Sequence, residues 1–115
     1  MAGDCLFCKI AAGEIPSRAV YSDDEFYAFQ DINPGAPVHC LIVPRKHIAR
    51  ITEADAADEA LLGRMLLRAS AIAKAEGIDE SGCRFVVNCN EDGGQTVFHI
   101  HLHILGGRAM SWPPG

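Results

Sequence analysis

The sequence predicts an α+β fold, an antiparallel five-stranded sheet carrying one main helix and a short N-terminal helix. Three observations lead there. Short runs rich in aromatic and β-branched residues are separated by Asp, Asn, Gly and Pro clusters. A single stretch, Leu61 to Ala73, repeats apolar residues at helical spacing. Near the C-terminus, histidines alternate with large apolar residues at the two-residue period of a strand.

Taken in order, Cys5 to Ala12 reads as a short helix ended by Gly13 and Pro16. Ala19 to Ser22 and Phe26 to Gln30 flank an Asp-Asp-Glu turn and read as a hairpin. Val38 to Val43 follows the Asn33-Pro34-Gly35 turn as a third strand. Thr52-Glu53-Ala54-Asp55 offers a helix start, and Leu61, Leu62, Met65, Leu66, Ala69, Ile72 and Ala73 mark the apolar stripe until Gly77. That stripe should cover one face of the sheet. Arg84 to Asn90 and Val97 to Leu105 complete it, joined by a loop longer than a two-residue turn.

With 115 residues, the chain is expected to form one domain over 1–115, and 49% apolar residues suffice for a core. A net charge of -5 argues against a nucleic-acid footprint, which needs a basic face. No run approaches the roughly 20 apolar residues of a membrane helix, and Met1-Ala2-Gly3-Asp4 does not open a signal segment. The expectation is a soluble, cytoplasmic protein with no membrane partner. Five cysteines make an odd count without a disulfide pattern. Cys40, Cys83 and Cys89 lie in or beside apolar strands and are expected to be core thiols.

The histidine row carries the chemistry. In Val97-Phe98-His99-Ile100-His101-Leu102-His103-Ile104-Leu105, a strand would turn His99, His101 and His103 to one side and Phe98, Ile100, Leu102 and Ile104 to the other. Neighbouring imidazoles would start about 6.6 Å apart at Cα and the outer pair about 13 Å apart, so one small group can meet two of them. That favours division of labour between a central nucleophile or base and flanking groups. An i, i+2 metal pair and a purely structural strand are the competing readings; strict threefold alternation favours phosphate chemistry.

Gly93-Gly94-Gln95-Thr96 precedes the row, where small residues let backbone N–H groups approach a phosphate and Thr96 adds a hydroxyl. The segment lacks the Lys-Ser/Thr ending of a P-loop. Asn88 and Asn90 end the preceding strand and could face the same site, or cap a turn. Asp31, followed by Ile32, could accept hydrogen bonds from ribose hydroxyls or simply close a turn. Cys5-Leu6-Phe7-Cys8 supplies half of a tetrahedral zinc site, with His47 and His99 as candidates for the rest. By itself the pair is open between packing, redox and metal binding.

Together with Phe29-Gln30-Asp31-Ile32-Asn33-Pro34, Leu41-Ile42-Val43-Pro44-Arg45-Lys46-His47-Ile48, Asp92-Gly93-Gly94-Gln95-Thr96 and the ending Trp112-Pro113-Pro114-Gly115, the histidine row makes the chain resemble the histidine triad (HIT) superfamily, specifically its Hint branch. The resemblance covers nearly the whole chain and implies a HIT-like fold. It implies that His101 attacks the α-phosphorus of a nucleotide to give a nucleotidyl-histidine that water hydrolyses. His103 would bind the phosphoryl oxygens, and His39 and His99 would support orientation and protonation. Thr96, where the branch commonly has Ser, would lie near the leaving group, its methyl stiffening χ1. Asp31 and Ile32 would hold the ribose and flank the base; Asn88, Gly94 and Gln95 would complete the phosphate cradle.

The activity implied is a purine nucleoside phosphoramidate hydrolase releasing AMP or GMP. Cleavage of dinucleoside polyphosphates or adenylyl sulfate is the alternative enzyme reading, and a non-catalytic nucleotide- or zinc-binding adaptor the alternative outside enzymes. The chemistry itself would need no metal. Relatives with a Cys-x-x-Cys near the start imply a structural zinc on Cys5, Cys8, His47 and His99, with His99 keeping one ring nitrogen for the metal and one for a hydrogen bond. A homodimer is implied too, with the tail around Trp112 reaching the partner's site.

Overall fold

The computed structural model describes residues 4–115. Its order is α1 (Leu6–Ala11), β1 (Ala19–Ser22), β2 (Phe26–Gln30), β3 (Val38–Pro44), α2 (Glu59–Ala75), β4 (Cys83–Val86) and β5 (Leu102–Gly106). The five strands form one antiparallel sheet in the order β1-β2-β3-β5-β4, the expected α+β architecture. No helix among the described residues is long and apolar enough to cross a membrane.

Strand alternation divides the core. Phe26, Ala28, Cys40, Ile42, Leu102 and Ile104 point to the α2 side and bury against Met65, Ala69, Ile72 and Ala73. Phe29, Leu41 and Val43 point the other way, where Phe7 and Ile10 of α1 cover them. Leu66 falls outside the expected stripe and is 53% exposed.

Three boundaries depart from the sequence reading. The helix begins at Glu59, after two single 3₁₀ turns, because Asp55 and Asp58 exchange side-chain hydrogen bonds as a capping box and Asp58 is further held by Lys46 at 2.6 Å. β4 ends at Val86, so Asn88 and Asn90 lie in the following loop. β5 begins only at Leu102, so of the three alternating histidines only His103 is on the strand. The ladder stops there because the facing β3 runs out at Pro44, which has no N–H to donate. The Pro44 carbonyl instead accepts from His99 Nε2 at 2.7 Å, and Ile100 N–H bonds the Ile48 carbonyl at 2.8 Å. Phe98 is therefore 41% exposed and not in the apolar row.

The β1–β2 turn is organised by Asp23. Its carboxylate accepts from Glu25 N–H (2.8 Å), Phe26 N–H (2.7 Å), Tyr21 O–H (2.6 Å) and Arg68 Nε (3.2 Å). Burial alone would raise its pKa, but these donors outweigh burial and hold it at about 2. A carboxylate depressed below its ordinary 3.8 contributes stability above that value and loses it as pH falls toward about 2. Asp23→Ala is expected to cost about 2 to 3 kcal/mol in urea unfolding at pH 7, the deficit shrinking toward pH 2. An equal deficit at both pH values would contradict this.

Candidate functional site

The β3–β5 register sets the first half of the site. Leu41 lies opposite His103, placing His39, two residues along the same face, diagonally across from it. His39 Nε2 approaches His103 Nδ1 at 2.9 Å and Asp31 Oδ2 at 3.3 Å. On the other side of its ring, His39 Nδ1 accepts the Gly35 N–H at 2.9 Å. Asp31 Oδ1 accepts the Asn33 N–H at 2.8 Å, so the carboxylate also shapes the turn after β2. Donor atoms of Asp31, His39 and His103 come within a metal-sized radius. The Gly35 N–H nevertheless assigns them to hydrogen bonding: with Nδ1 occupied as an acceptor, neutral His39 carries its hydrogen on Nε2, the nitrogen a metal would need.

His101 sits just before β5 and is 6% exposed. Its Nδ1 lies 2.8 Å from the His99 carbonyl, which can only accept, so Nδ1 carries the hydrogen and Nε2 keeps a lone pair. Phe7 presses edge-on against the ring, with centroids 4.9 Å apart at 85°, and His103 flanks it at 5.1 Å. Burial lowers the pKa of His101, and burial with the neighbouring His101 and His39 lowers that of His103 to about 4. In the free protein both rings are neutral at pH 7: one offers a nucleophilic nitrogen and the other a hydrogen-bond donor.

His99 leaves the row. Fully buried, it donates through Nε2 to the Pro44 carbonyl, and its Nδ1 lone pair meets Cys5 Sγ at 3.2 Å, Cys8 Sγ at 3.5 Å and His47 Nδ1 at 3.2 Å. Cys8 Sγ also approaches His47 Nδ1 at 3.5 Å. The four donors lie within 4.8 Å of one another. Bonds of about 2.0 to 2.3 Å around a tetrahedral zinc put neighbouring donors about 3.3 to 3.8 Å apart, so this set fits that ion. Burial and Cys5 push the Cys8 thiol up to about 11, unlike the depressed thiols of redox motifs. Helix α1 thus faces two ways, with Cys5 and Cys8 in the donor cluster and Phe7 and Ile10 on the opposite wall.

Between α1 and the sheet lies a cavity of about 300 Å³, whose lining includes Phe7, Ile10, Phe29, Asp31, His101 and His103, within the range of small-ligand sites. Thr96, Ile32 and Leu41 also border it. Asn88 does not. Gln95 is 5% exposed and fully engaged: its amide donates to the Ala49 and Val97 carbonyls, while its Oε1 accepts the Asn90 N–H. Its side chain braces the loop and has no polar atom left for a phosphate. Gly94 N–H likewise bonds the Glu91 carbonyl. Gly93 is required by close approach, since a Cβ there would lie 2.6 Å from the Cys89 carbonyl oxygen. The sequence reading missed the apolar wall of Phe7, Ile10 and Phe29; the one-turn spacing of Phe7 and Ile10 was its available signal.

Comparison with known proteins agrees with this architecture. The HIT domain family model matches residues 12–110. A HIT-like protein of Synechococcus elongatus is 51% identical over 115 residues, spanning all of both chains. A HIT family hydrolase from Legionella pneumophila superposes with a TM-score of 0.96 at 56% identity, covering 97% of this chain and 100% of the other. A zinc-bound histidine triad protein from Mycobacterium smegmatis superposes at 0.78 with 30% identity, covering 94% and 78%. Matched by the family model over most of its length and by relatives at 51% and 56% identity, the chain belongs to the HIT domain family.

Proposed function

We propose that the protein hydrolyses purine nucleoside phosphoramidates, the activity that its resemblance to the Hint branch implies, through a nucleotidyl-histidine on His101. The observation that carries this reading is the tautomer of His101: the His99 carbonyl takes the hydrogen on Nδ1, leaving a nucleophilic Nε2 for a cavity that His103 also lines. The Nε2 lone pair forms a bond to phosphorus as the P–N bond to the amine breaks, and the departing nitrogen takes a proton. Thr96, which lines the cavity, carries the hydroxyl set to pass that proton, and it recovers one from the water that attacks in the second step. Water then attacks phosphorus, releasing the nucleoside monophosphate and restoring neutral His101. His103 donates to a non-bridging oxygen throughout, stabilising charge where it develops. Phe7, Ile10 and Phe29 sandwich the base, and Asp31 accepts from the ribose.

Cys5, Cys8, His47 and His99 are proposed to hold one structural zinc, in keeping with the zinc-bound relative. When bound, the ion ties α1 to the segments before α2 and β5; it takes no part in bond making. A homodimer is proposed through the edge strand β4, where Phe85 is 41% exposed and Val87, just past the strand, is 36% exposed, with the tail around Trp112 available to the partner's site. Light scattering should return the mass of two chains; a monomer at micromolar concentration would contradict the dimer.

The test is a comparison of substrates. Adenosine and guanosine phosphoramidates should release AMP and GMP with kcat/KM at least about 100-fold above those for a dinucleoside polyphosphate or adenylyl sulfate. The reverse order would replace the phosphoramidate reading with the polyphosphate one, and AMP binding without turnover of any of them would favour the adaptor.

A further inference from the structure

We infer that Gly35 and Arg108 are positioning residues that dictate which ring nitrogen of His103 carries its hydrogen, so that His103 offers an N–H to the substrate's phosphoryl group. The use made of that N–H rests on the function proposed above; the tautomer itself does not.

A chain of three hydrogen bonds leads to His103, and its direction is set at its origin. The Gly35 N–H donates to His39 Nδ1 at 2.9 Å. A backbone amide can neither turn round nor change its protonation, so His39 Nδ1 must keep a lone pair and its hydrogen must sit on Nε2. That Nε2 lies 2.9 Å from His103 Nδ1 and donates to it. Asp31 Oδ2, 3.3 Å from the same nitrogen, also accepts only and reinforces the assignment. His103 Nδ1 is thereby an acceptor, and its hydrogen is left on Nε2. Were the Gly35 donor lost, His39 could hold its hydrogen on Nδ1 and accept through Nε2. His103 would then donate through Nδ1 and turn a lone pair on Nε2 toward the phosphate, changing an attraction into a repulsion.

Arg108 holds Gly35 in place from outside the cavity. Its Nη2 donates to the Gly35 carbonyl at 2.9 Å across 73 residues. The chain leaving β5 is brought there by Gly107, whose φ of +92° suits glycine and where a Cβ would lie 2.8 Å from the Pro37 ring. Arg108 does not line the cavity that holds His101 and His103. At Gly35 itself a Cβ would meet His39 Nδ1 at 3.7 Å, an ordinary contact. Alanine therefore fits there and keeps the N–H, whereas proline removes it.

The experiment is long-range ¹H–¹⁵N correlation NMR of the full chain with labelled histidine, paired with kcat and KM on an adenosine phosphoramidate. The wild type should carry Nε2–H on both His39 and His103, and Gly35→Ala should keep that pattern. Gly35→Pro should move His103 toward Nδ1–H and lower kcat roughly 10- to 100-fold with a smaller change in KM. Arg108→Ala should act in the same sense, lowering kcat roughly threefold to tenfold, and Arg108→Lys, which can still donate to the Gly35 carbonyl, should restore most of it. If Gly35→Pro fails to fold, the Arg108 pair decides. Nδ1–H on His103 in the wild type would overturn the inference, as would unchanged tautomers in folded Gly35→Pro or in Arg108→Ala. Tautomers that follow this pattern in a protein that hydrolyses no nucleotide would uphold the inference and reject the hydrolase reading.

Discussion

His101→Ala is expected to lower phosphoramidate turnover by about 10⁴-fold or more, leaving AMP binding within about tenfold of wild type. The size follows from what the side chain does. On the proposed mechanism, loss of Nε2 removes the covalent route, and water must displace the amine directly in one harder step. Binding is spared because the cavity wall is built by other residues: Phe7 and Ile10 from α1, Phe29 from β2, and Asp31 at the end of β2. His101 contributes one buried ring among these, so its removal leaves a small void beside Phe7 and the apolar wall otherwise stands. Calorimetric titration with AMP, alongside stopped assays of AMP release, separates the two effects. Turnover within tenfold of wild type would remove His101 from the role assigned to it.

Cys8→Ser carries the second large effect, this time on stability. A six-residue helix cannot hold itself together in water, because nucleation is unfavourable and too few hydrogen bonds follow it. Helix α1 is kept in place by Phe7 and Ile10 packing on Phe29, Leu41 and Val43, and by Cys5 and Cys8 converging with His47 and His99. On the zinc reading, the wild type should be purified with about one zinc per chain, and Cys8→Ser with little. Loss of a structural ion worth a few kcal/mol should lower the Tm by about 10 °C. AMP affinity should fall as well, because the same helix forms the cavity wall. Wild-type protein that is free of zinc by elemental analysis, and a Tm unmoved by the substitution, would contradict the zinc assignment.

Much of this was legible in the chain, for identifiable reasons. The β1–β2 hairpin and the start of β3 fall where expected because Asp23-Asp24-Glu25 and Asn33-Pro34-Gly35 punctuate the sequence with residues that favour turns. The Cys5-x-x-Cys8 spacing offered half of a metal site with His47 and His99 as candidates for the rest, and the family resemblance implied the full set of four that the structure brings within 4.8 Å. The histidine row was legible as residues and misleading as geometry. Strict alternation predicts one shared face, but His99 is drawn off to the Pro44 carbonyl and the thiols, and reaches His101 only through its own carbonyl. Long-range acceptors of that kind leave no local trace. The same holds for the Gly35 N–H on His39, a backbone contact that depends on how a turn packs, and for Gln95, which the family resemblance placed in a phosphate cradle but whose amide is spent on the Ala49 and Val97 carbonyls. Hydrophobic periodicity located α2, yet its N-terminus lies at Glu59 because the Asp55–Asp58 capping box first closes a separate turn.

The most direct test of the central claim is mass spectrometry of the wild-type protein quenched during turnover of an adenosine phosphoramidate, followed by sequencing of the modified peptide. The covalent mechanism predicts an adenylyl group on the peptide that contains His101, located to that imidazole and absent from His101→Ala. Steady release of AMP with no adduct at any quench time, or an adduct on a different residue, would contradict it.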